Sequence, residues 1–237
     1  MAEPNKWVLT KFADFGASEQ FVSEFLELFD LLGSTHIPEQ QKKLANDAIG
    51  TILVDGLSPT FLELQAIRAS VGKELPRVNR NQIFEDFARK LWKSYRDLTK
   101  RSLLAMGVDM GFVWNRESVF EAGLVKFRRD YPAALPNFEQ HLRNIRKNWQ
   151  NDLCAFRNEF LEHQEGSRAD FAKFYNERYC ESLFYAVWRT IVELHVCVMN
   201  LKLPRGIYIV EHSDALHGPG WPKRFRWVRT GFKVVGK

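Results

Sequence analysis

The chain has 237 residues, of which 45% are apolar and 27% charged, a globular composition that argues against a disordered or low-complexity protein. Three cysteines without a CxxC pair argue against a disulfide framework or a structural zinc site, and they predict a cytoplasmic location. The net charge of +5 is uneven: residues 202–237 hold eight Lys or Arg against two Asp or Glu, and the rest sums to −1.

Residues 1–75 are predicted to form an N-terminal helical region of three helices. Each helix shows apolar side chains at helical spacing between a capping or proline start and a glycine stop. The predicted start and stop residues are Ser18 and Gly33, then Pro38 and Gly56, then Ser58–Pro59 and Gly72.

Residues 80–203 are predicted to form a helical bundle after a linker at 73–80. Four further helices are expected, over residues 82–106, 117–130 and 136–164, and from 167 to about 203. Ser167 with Asp170 three residues later is a capping box, which predicts the start of the last helix. Pro204 is expected to end it.

The last predicted helix holds the most apolar stretch of the chain, residues 182–201. Arg189, Glu193 and His195 lie inside this stretch, and ionisable groups at such positions argue against a membrane span. The N-terminal residues also lack the apolar run of a signal peptide. We therefore expect no contact with a membrane.

The C-terminal residues 204–237 change to a period of two. Alternation over 207–211 and 224–229, with Gly218-Pro219-Gly220 between them, predicts a β-hairpin with a long loop. The predicted fold class is thus all-α, a helical bundle with a C-terminal β-hairpin. Basic and aromatic residues interleave in the tail, as on surfaces that bind nucleic acid, which makes candidates of Lys223, Arg224, Arg226 and Arg229. The alternative is a hairpin whose charges only face solvent.

One short motif carries the functional hypothesis. Arg157, Asn158 and His163 form an Arg-x-His pattern with a polar residue after the arginine, late in a predicted helix. This pattern resembles the HEPN superfamily, over roughly residues 82–203. The resemblance implies a metal-independent ribonuclease or a degenerate RNA- or nucleotide-binding relative, with no cofactor, in a toxin–antitoxin or phage-defence setting. It also implies RNA and an antitoxin-like protein as partners, and a homodimer in which two motifs face each other.

The chemistry of RNA cleavage without a metal fits these residue types. It needs a base for the 2′-hydroxyl, an acid for the leaving oxygen and positive charge near the phosphorus. His163 can exchange protons near neutral pH, and Arg157 can clamp phosphate oxygens. Asn158 can orient the backbone or the imidazole, and Glu159, four residues before His163, can hold its tautomer. On a regular helix, however, six residues separate Arg157 and His163 by about 120°.

A purely structural interpretation of the motif stays open. Arg157 can pair with Glu162 or with an acidic residue of a neighbouring helix, and His163 can stabilise the helix C-terminus. The alternative function is a non-catalytic helical interaction or regulatory protein whose partner surface includes the basic hairpin. His212 and His217 flank Asp214, with Glu211 adjacent, which is a possible zinc site, but no metal is expected because no cysteine or third histidine lies nearby.

Overall fold

The computed structural model describes residue 25, residues 28–71, 77–132 and 138–202, and the backbone of 207–212 and 224–229. Most of the residues described up to 202 are helical, which confirms the prediction of a predominantly helical protein. Helix α1 contains residue 25 and residues 28–33, and the chain turns after it at Ser34 and Thr35. A backbone hydrogen bond from His36 N to Lys202 O (2.9 Å) links this turn to the end of the last helix.

Helix α2 is continuous where the sequence predicts two helices. It comprises Glu39–Thr51, the wide π-helical segment Ile52–Leu57 and Ser58–Ser70, with helical backbone angles at both junctions. Proline in a helix interior lacks an N–H and clashes with the carbonyl four residues earlier. The wide turn before Pro59 accommodates this defect, with Ser58 bonding to Leu53 O across five residues. The predicted break at Gly56 is therefore wrong.

Helix α3 runs antiparallel to α2 and packs against it along its length. It comprises Arg77–Lys93, the π-helical segment Ser94–Leu98 and Thr99–Ala105, and it ends before Gly107, whose φ is 77°. The wide segments of the two helices meet at Gly56. A Cβ at this position would lie 2.7 Å from Ser94 Oγ, so the close approach requires glycine.

Helix α4 spans Glu117–Asp130 as predicted, after the short 3₁₀ turn Gly111–Trp114. Helix α5 comprises Phe138–Ile145, the π-helical segment Arg146–Gln150, Asn151–Ala155 and a second π-helical segment, Phe156–Glu162. The four parts follow one another without a break. The prediction of one long helix over about residues 136–164 is thus confirmed for 138–162, and its start lies outside the described residues.

The buried Arg146 ties α5 to the segment before α4. Its Nη1 donates to Val113 O (3.0 Å) and Asn115 O (2.9 Å), and its Nη2 pairs with Glu117 Oε2 (2.8 Å). The guanidinium also lies 4.2 Å from the centroid of the Phe120 ring. A single charged side chain therefore donates to two backbone carbonyls, one in the 3₁₀ turn and one directly after it.

The hydroxyl of Tyr95 makes a second buried polar link between α3 and α5. It donates to Gln150 Oε1, and Gln150 Nε2 in turn donates to Val113 O (2.6 Å). The Tyr95 ring packs against Trp149, with centroids 4.7 Å apart. Burial raises the pKa of Tyr95, so the phenol stays protonated as a donor.

The last helix, α6, begins later than the sequence predicts. Asp170 Oδ2 does accept hydrogen bonds from Ser167 N (2.8 Å) and Oγ (3.0 Å), but these bonds close a turn. A 3₁₀ turn, Ala172–Tyr175, follows, and α6 spans Glu177–Asn200 with Asn176 as its cap. The predicted helix start is wrong because the same pairing stabilises an isolated turn.

Helix α6 lies in the centre of the described structure and packs against both α2 and α3. Its length and composition would allow it to cross a membrane, but 89% of its apolar window is buried within the protein. His195 on this helix is fully buried. Its Nδ1 donates to Ile191 O (2.6 Å) and its Nε2 accepts from Ser102 Oγ (2.9 Å), an assignment that satisfies both ring nitrogens.

One hydrophobic core joins residues from α1 to α6. It includes side chains on both sides of the predicted boundary near residues 75–80, and the division into two helical regions stays a prediction. Beyond Lys202, the structure describes only the backbones of two extended segments, Ile207–His212 (β1) and Arg224–Arg229 (β2). The loop between these strands and all of their side chains lie outside the described residues. The hairpin, with its packing, therefore also stays a prediction.

Candidate functional site

The predicted motif lies in the last π-helical segment of α5. Phe156, the first residue of the segment, is fully buried and stacks on Phe174 with centroids 4.2 Å apart and planes 4° apart. The next residues face the surface: Arg157 and Asn158 are half-buried. The segment ends at Glu162, and the chain then turns away through two residues of positive φ, Gln164 and Gly166.

The wide turn decides which side chains of the motif become neighbours. In a π-helix the backbone hydrogen bonds join residues five apart rather than four. His163 N accordingly donates to Asn158 O (3.2 Å), so these two residues lie one above the other. By the same spacing Glu162 lies over Arg157. In a regular α-helix, Glu159 would instead lie next to His163.

The guanidinium of Arg157 is held at two points. Its Nη1 donates to Asn158 Oδ1 (2.8 Å), and its Nη2 forms an ion pair with Glu162 Oε1. The Arg157 side chain is 24% exposed and that of Glu162 is 41% exposed. The ion pair that the structural interpretation anticipated is therefore present, and it occupies one edge of the guanidinium.

Asn158 connects the site to the interior of the bundle. Its Nδ2 donates to Cys154 Sγ (3.3 Å), while its Oδ1 accepts from Arg157. Burial raises the pKa of the Cys154 thiol, and nearby arginines counter this only in part. The thiol therefore stays protonated, and Cys154 acts as a weak acceptor rather than as a nucleophile.

His163 and Glu159 are both exposed, and within the described residues neither side chain makes a hydrogen bond or an ion pair. Glu159 contributes only its carbonyl, which accepts from Glu165 N (2.7 Å). The orienting role predicted for Glu159 depends on the α-helical spacing, and this role stays a prediction. One chain thus presents an imidazole and a guanidinium at the same helix end, with Asn158 bonded to both residues.

Residues distant in sequence surround this helix end. Arg89 on α3 donates from Nη2 to Leu161 O (3.5 Å), at the end of the wide segment. The buried Glu85 accepts from the Tyr175 hydroxyl (2.9 Å), and burial together with this carboxylate raises the pKa of Tyr175. Sequence reasoning did not identify these residues, because only the packing of α3 on α5 brings them close to the motif.

Among the described residues, the other histidine candidates have partners elsewhere in the fold. Among the described residues, no group of three or more His, Cys, Asp or Glu is placed to hold a metal ion. His141 is buried, with Nε2 2.7 Å from Glu193 Oε2, and His195 is satisfied in the core. His217 and the side chain of His212 lie outside the described residues.

The basic candidates of the tail are located only by their backbone. Lys223 lies outside the described residues, and Arg224, Arg226 and Arg229 belong to β2. Their binding of nucleic acid stays a prediction.

Comparison with known proteins adds no assignment, since no family model, curated protein or solved structure matches this chain. The resemblance to the HEPN superfamily therefore depends on Arg157, Asn158 and His163 and on the helical setting that surrounds them.

Proposed function

We propose that this chain is a HEPN-like protein that acts on RNA at the end of α5, through Arg157, Asn158 and His163. The observation that carries the proposal is the position of Asn158, whose side chain bonds to Arg157 and whose carbonyl bonds to His163 N. A residue whose cation can bind phosphate and a residue whose imidazole can transfer protons are thus each hydrogen-bonded to Asn158.

Cleavage requires more than one chain supplies. A single imidazole can remove the proton from the 2′-hydroxyl or protonate the leaving oxygen, and a second group must do the other job. A homodimer would provide a second His163 and a second Arg157 across a two-fold axis, because a symmetric interface apposes identical surfaces. The proposal therefore includes dimerisation at the end of α5.

The remaining parts of the proposal follow from the resemblance and the tail. The setting would be a cytoplasmic toxin–antitoxin or phage-defence system, with an antitoxin-like protein as partner. Arg224 and Arg226, on one face of the predicted hairpin, would add contacts to phosphates, since RNA affinity depends largely on such charges.

The test is cleavage of total RNA by the purified protein in EDTA, beside His163→Ala and Arg157→Ala variants. Cleavage that both substitutions abolish, with unchanged circular dichroism, is the expected result for a ribonuclease. The exposed His163 makes its substitution a mild one for the fold. Cleavage that persists in both variants would assign the activity to another site or to a contaminant.

A non-catalytic binding protein is the second candidate, and the ion pair of Arg157 with Glu162 favours it. A guanidinium already neutralised by a carboxylate stabilises a developing negative charge less well than a free one. For this candidate, wild-type protein should bind RNA or an antitoxin-like protein in EDTA without cleaving RNA. Binding by wild type without cleavage would distinguish the second candidate from the first.

A further inference from the structure

We propose that Glu162 is a built-in competitor for Arg157, occupying the edge of the guanidinium that an RNA phosphate would otherwise bind. The inference rests on the proposed function, since it concerns the anion received at that same site. It assigns a role to Glu162, a residue that lies between the arginine and the histidine of the pattern but does not define it.

The geometry of the wide segment brings the two charges together. Five residues separate Arg157 from Glu162, which is the interval over which a π-helix bonds. The guanidinium fork binds carboxylate and phosphate oxygens in the same planar way. Arg157 Nη2 pairs with Glu162, and Nη1 donates to Asn158 Oδ1 at 2.8 Å. The carboxylate therefore stands where a phosphate oxygen would be received.

The Glu162 carboxylate can be displaced from Arg157. Glu162 is 41% exposed, and among the described residues Arg157 is its only ion-pair or hydrogen-bonding side-chain partner. An ion pair with this much exposure is weak, so a phosphate carried by a longer polyanion can displace it. Asn158 can keep its bond to Arg157 while the carboxylate swings into solvent, which would retain the arginine in place for the incoming anion.

The same residues have an alternative arrangement. In a regular α-helix, five residues correspond to a rotation of about 140°, which would separate Arg157 from Glu162. That spacing would also bring Glu159 next to His163, as the sequence first suggested. A change of the segment from π- to α-helical spacing would thus release the arginine and orient the imidazole together. Such wide turns inside α-helices are frequent at functional sites.

The experiment compares Glu162→Gln with Glu165→Gln in the full-length protein. Both substitutions remove one negative charge from an exposed residue at this helix end, but only the first removes the partner of Arg157. Two measurements are made. Modification of Arg157 by phenylglyoxal is located by mass spectrometry, and binding of a fluorescent 2′-O-methyl single-stranded RNA, which has no free 2′-hydroxyl and resists this cleavage, is measured by anisotropy. The double variant Arg157→Ala/Glu162→Gln tests whether any gain passes through the arginine.

Glu162→Gln should accelerate the modification of Arg157 and tighten RNA binding by about two- to five-fold, the range expected from an exposed ion pair. Glu165→Gln should leave the modification rate unchanged, and the double variant should lose the gain in affinity. An unchanged modification rate in Glu162→Gln, or equal gains in affinity for both single variants, would overturn the competitor role while RNA binding itself stands. If Arg157 is modified faster in Glu162→Gln but neither wild type nor any variant binds RNA, the proposed function is overturned, and the competitor role with it.

Discussion

Acidification should destabilise this protein through one buried histidine. The His195 ring is enclosed by the core, donates from Nδ1 to Ile191 O and accepts at Nε2 from Ser102. A proton added to Nε2 would break the bond from Ser102 and place a charge in the core. Burial accordingly lowers the pKa of His195 to about 4, and the hydrogen bond to Ile191 O offsets this only in part.

The sign and size of the effect follow from the two pKa values. The unfolded chain takes up the proton near pH 6.5 and the folded chain only near pH 4, so stability is lost as the pH falls through this interval. Between pH 7.5 and 5.0 the loss due to His195 is about 2 kcal/mol, and it approaches about 3 kcal/mol below pH 4.

The assay is urea unfolding followed by tryptophan fluorescence, at pH 7.5 and 5.0, for wild type and His195→Gln. The variant should be less stable at pH 7.5, because a buried hydrogen bond is lost. Its free energy of unfolding should nevertheless fall by about 2 kcal/mol less between the two pH values, since the two proteins differ in no other ionisable group. An equal fall in both proteins would refute the reasoning, because His195 would then take up its proton as readily in the fold.

Three further predictions concern packing, and each is measured as a change in the free energy of unfolding in urea. Gly123→Ala on α4 should destabilise the protein by about 1–3 kcal/mol, since its Cβ would lie 2.2 Å from Phe112 Cβ. Gly50→Ala on α2 should stabilise the protein by about 1 kcal/mol, because its Cβ would meet no atom within 4 Å. Equal changes in the free energy of unfolding for the two glycine variants would contradict the close contact of Gly123 with Phe112. Arg146→Met should lower the free energy of unfolding by about 3 kcal/mol, because Asn115 O loses its donor, Val113 O keeps only Gln150 and Glu117 loses its ion-pair partner. Tyr95→Phe should cost about 1–2 kcal/mol, and no loss would mean that its hydroxyl bond contributes nothing.

Helices could be predicted from the sequence where apolar residues recur at helical spacing over several turns and a glycine or proline directly follows. The end of α3 at Gly107 and the bounds of α4 were of this kind. The continuous α2 was missed because Pro59 usually starts a helix, and a wide turn that tolerates it leaves no signature in the residue pattern. The start of α6 was missed because Ser167 and Asp170 make the same hydrogen bonds in a turn as in a capping box.

The candidate site was predictable in composition but not in geometry. The pattern named Arg157 and His163, and α-helical spacing paired Glu159 with the imidazole. The structure instead places Glu162 on Arg157, because the segment winds with one more residue per hydrogen-bonded turn. The residue pattern of Phe156–Glu162 does not distinguish π-helical from α-helical spacing.

The stack of Phe156 on Phe174 has a consequence for any genetic dissection of this protein. Phe174 is buried and stacks on Phe156, the residue directly before Arg157, so a substitution that removes the ring would disturb the packing of the segment that carries the motif. A loss-of-function screen would therefore recover substitutions at Phe174 alongside those at charged residues. Such a screen alone would make Phe174 look like a catalytic residue, although its role is in packing. Separating the two requires thermal melting of each recovered mutant, because only the aromatic substitutions should lower the melting temperature.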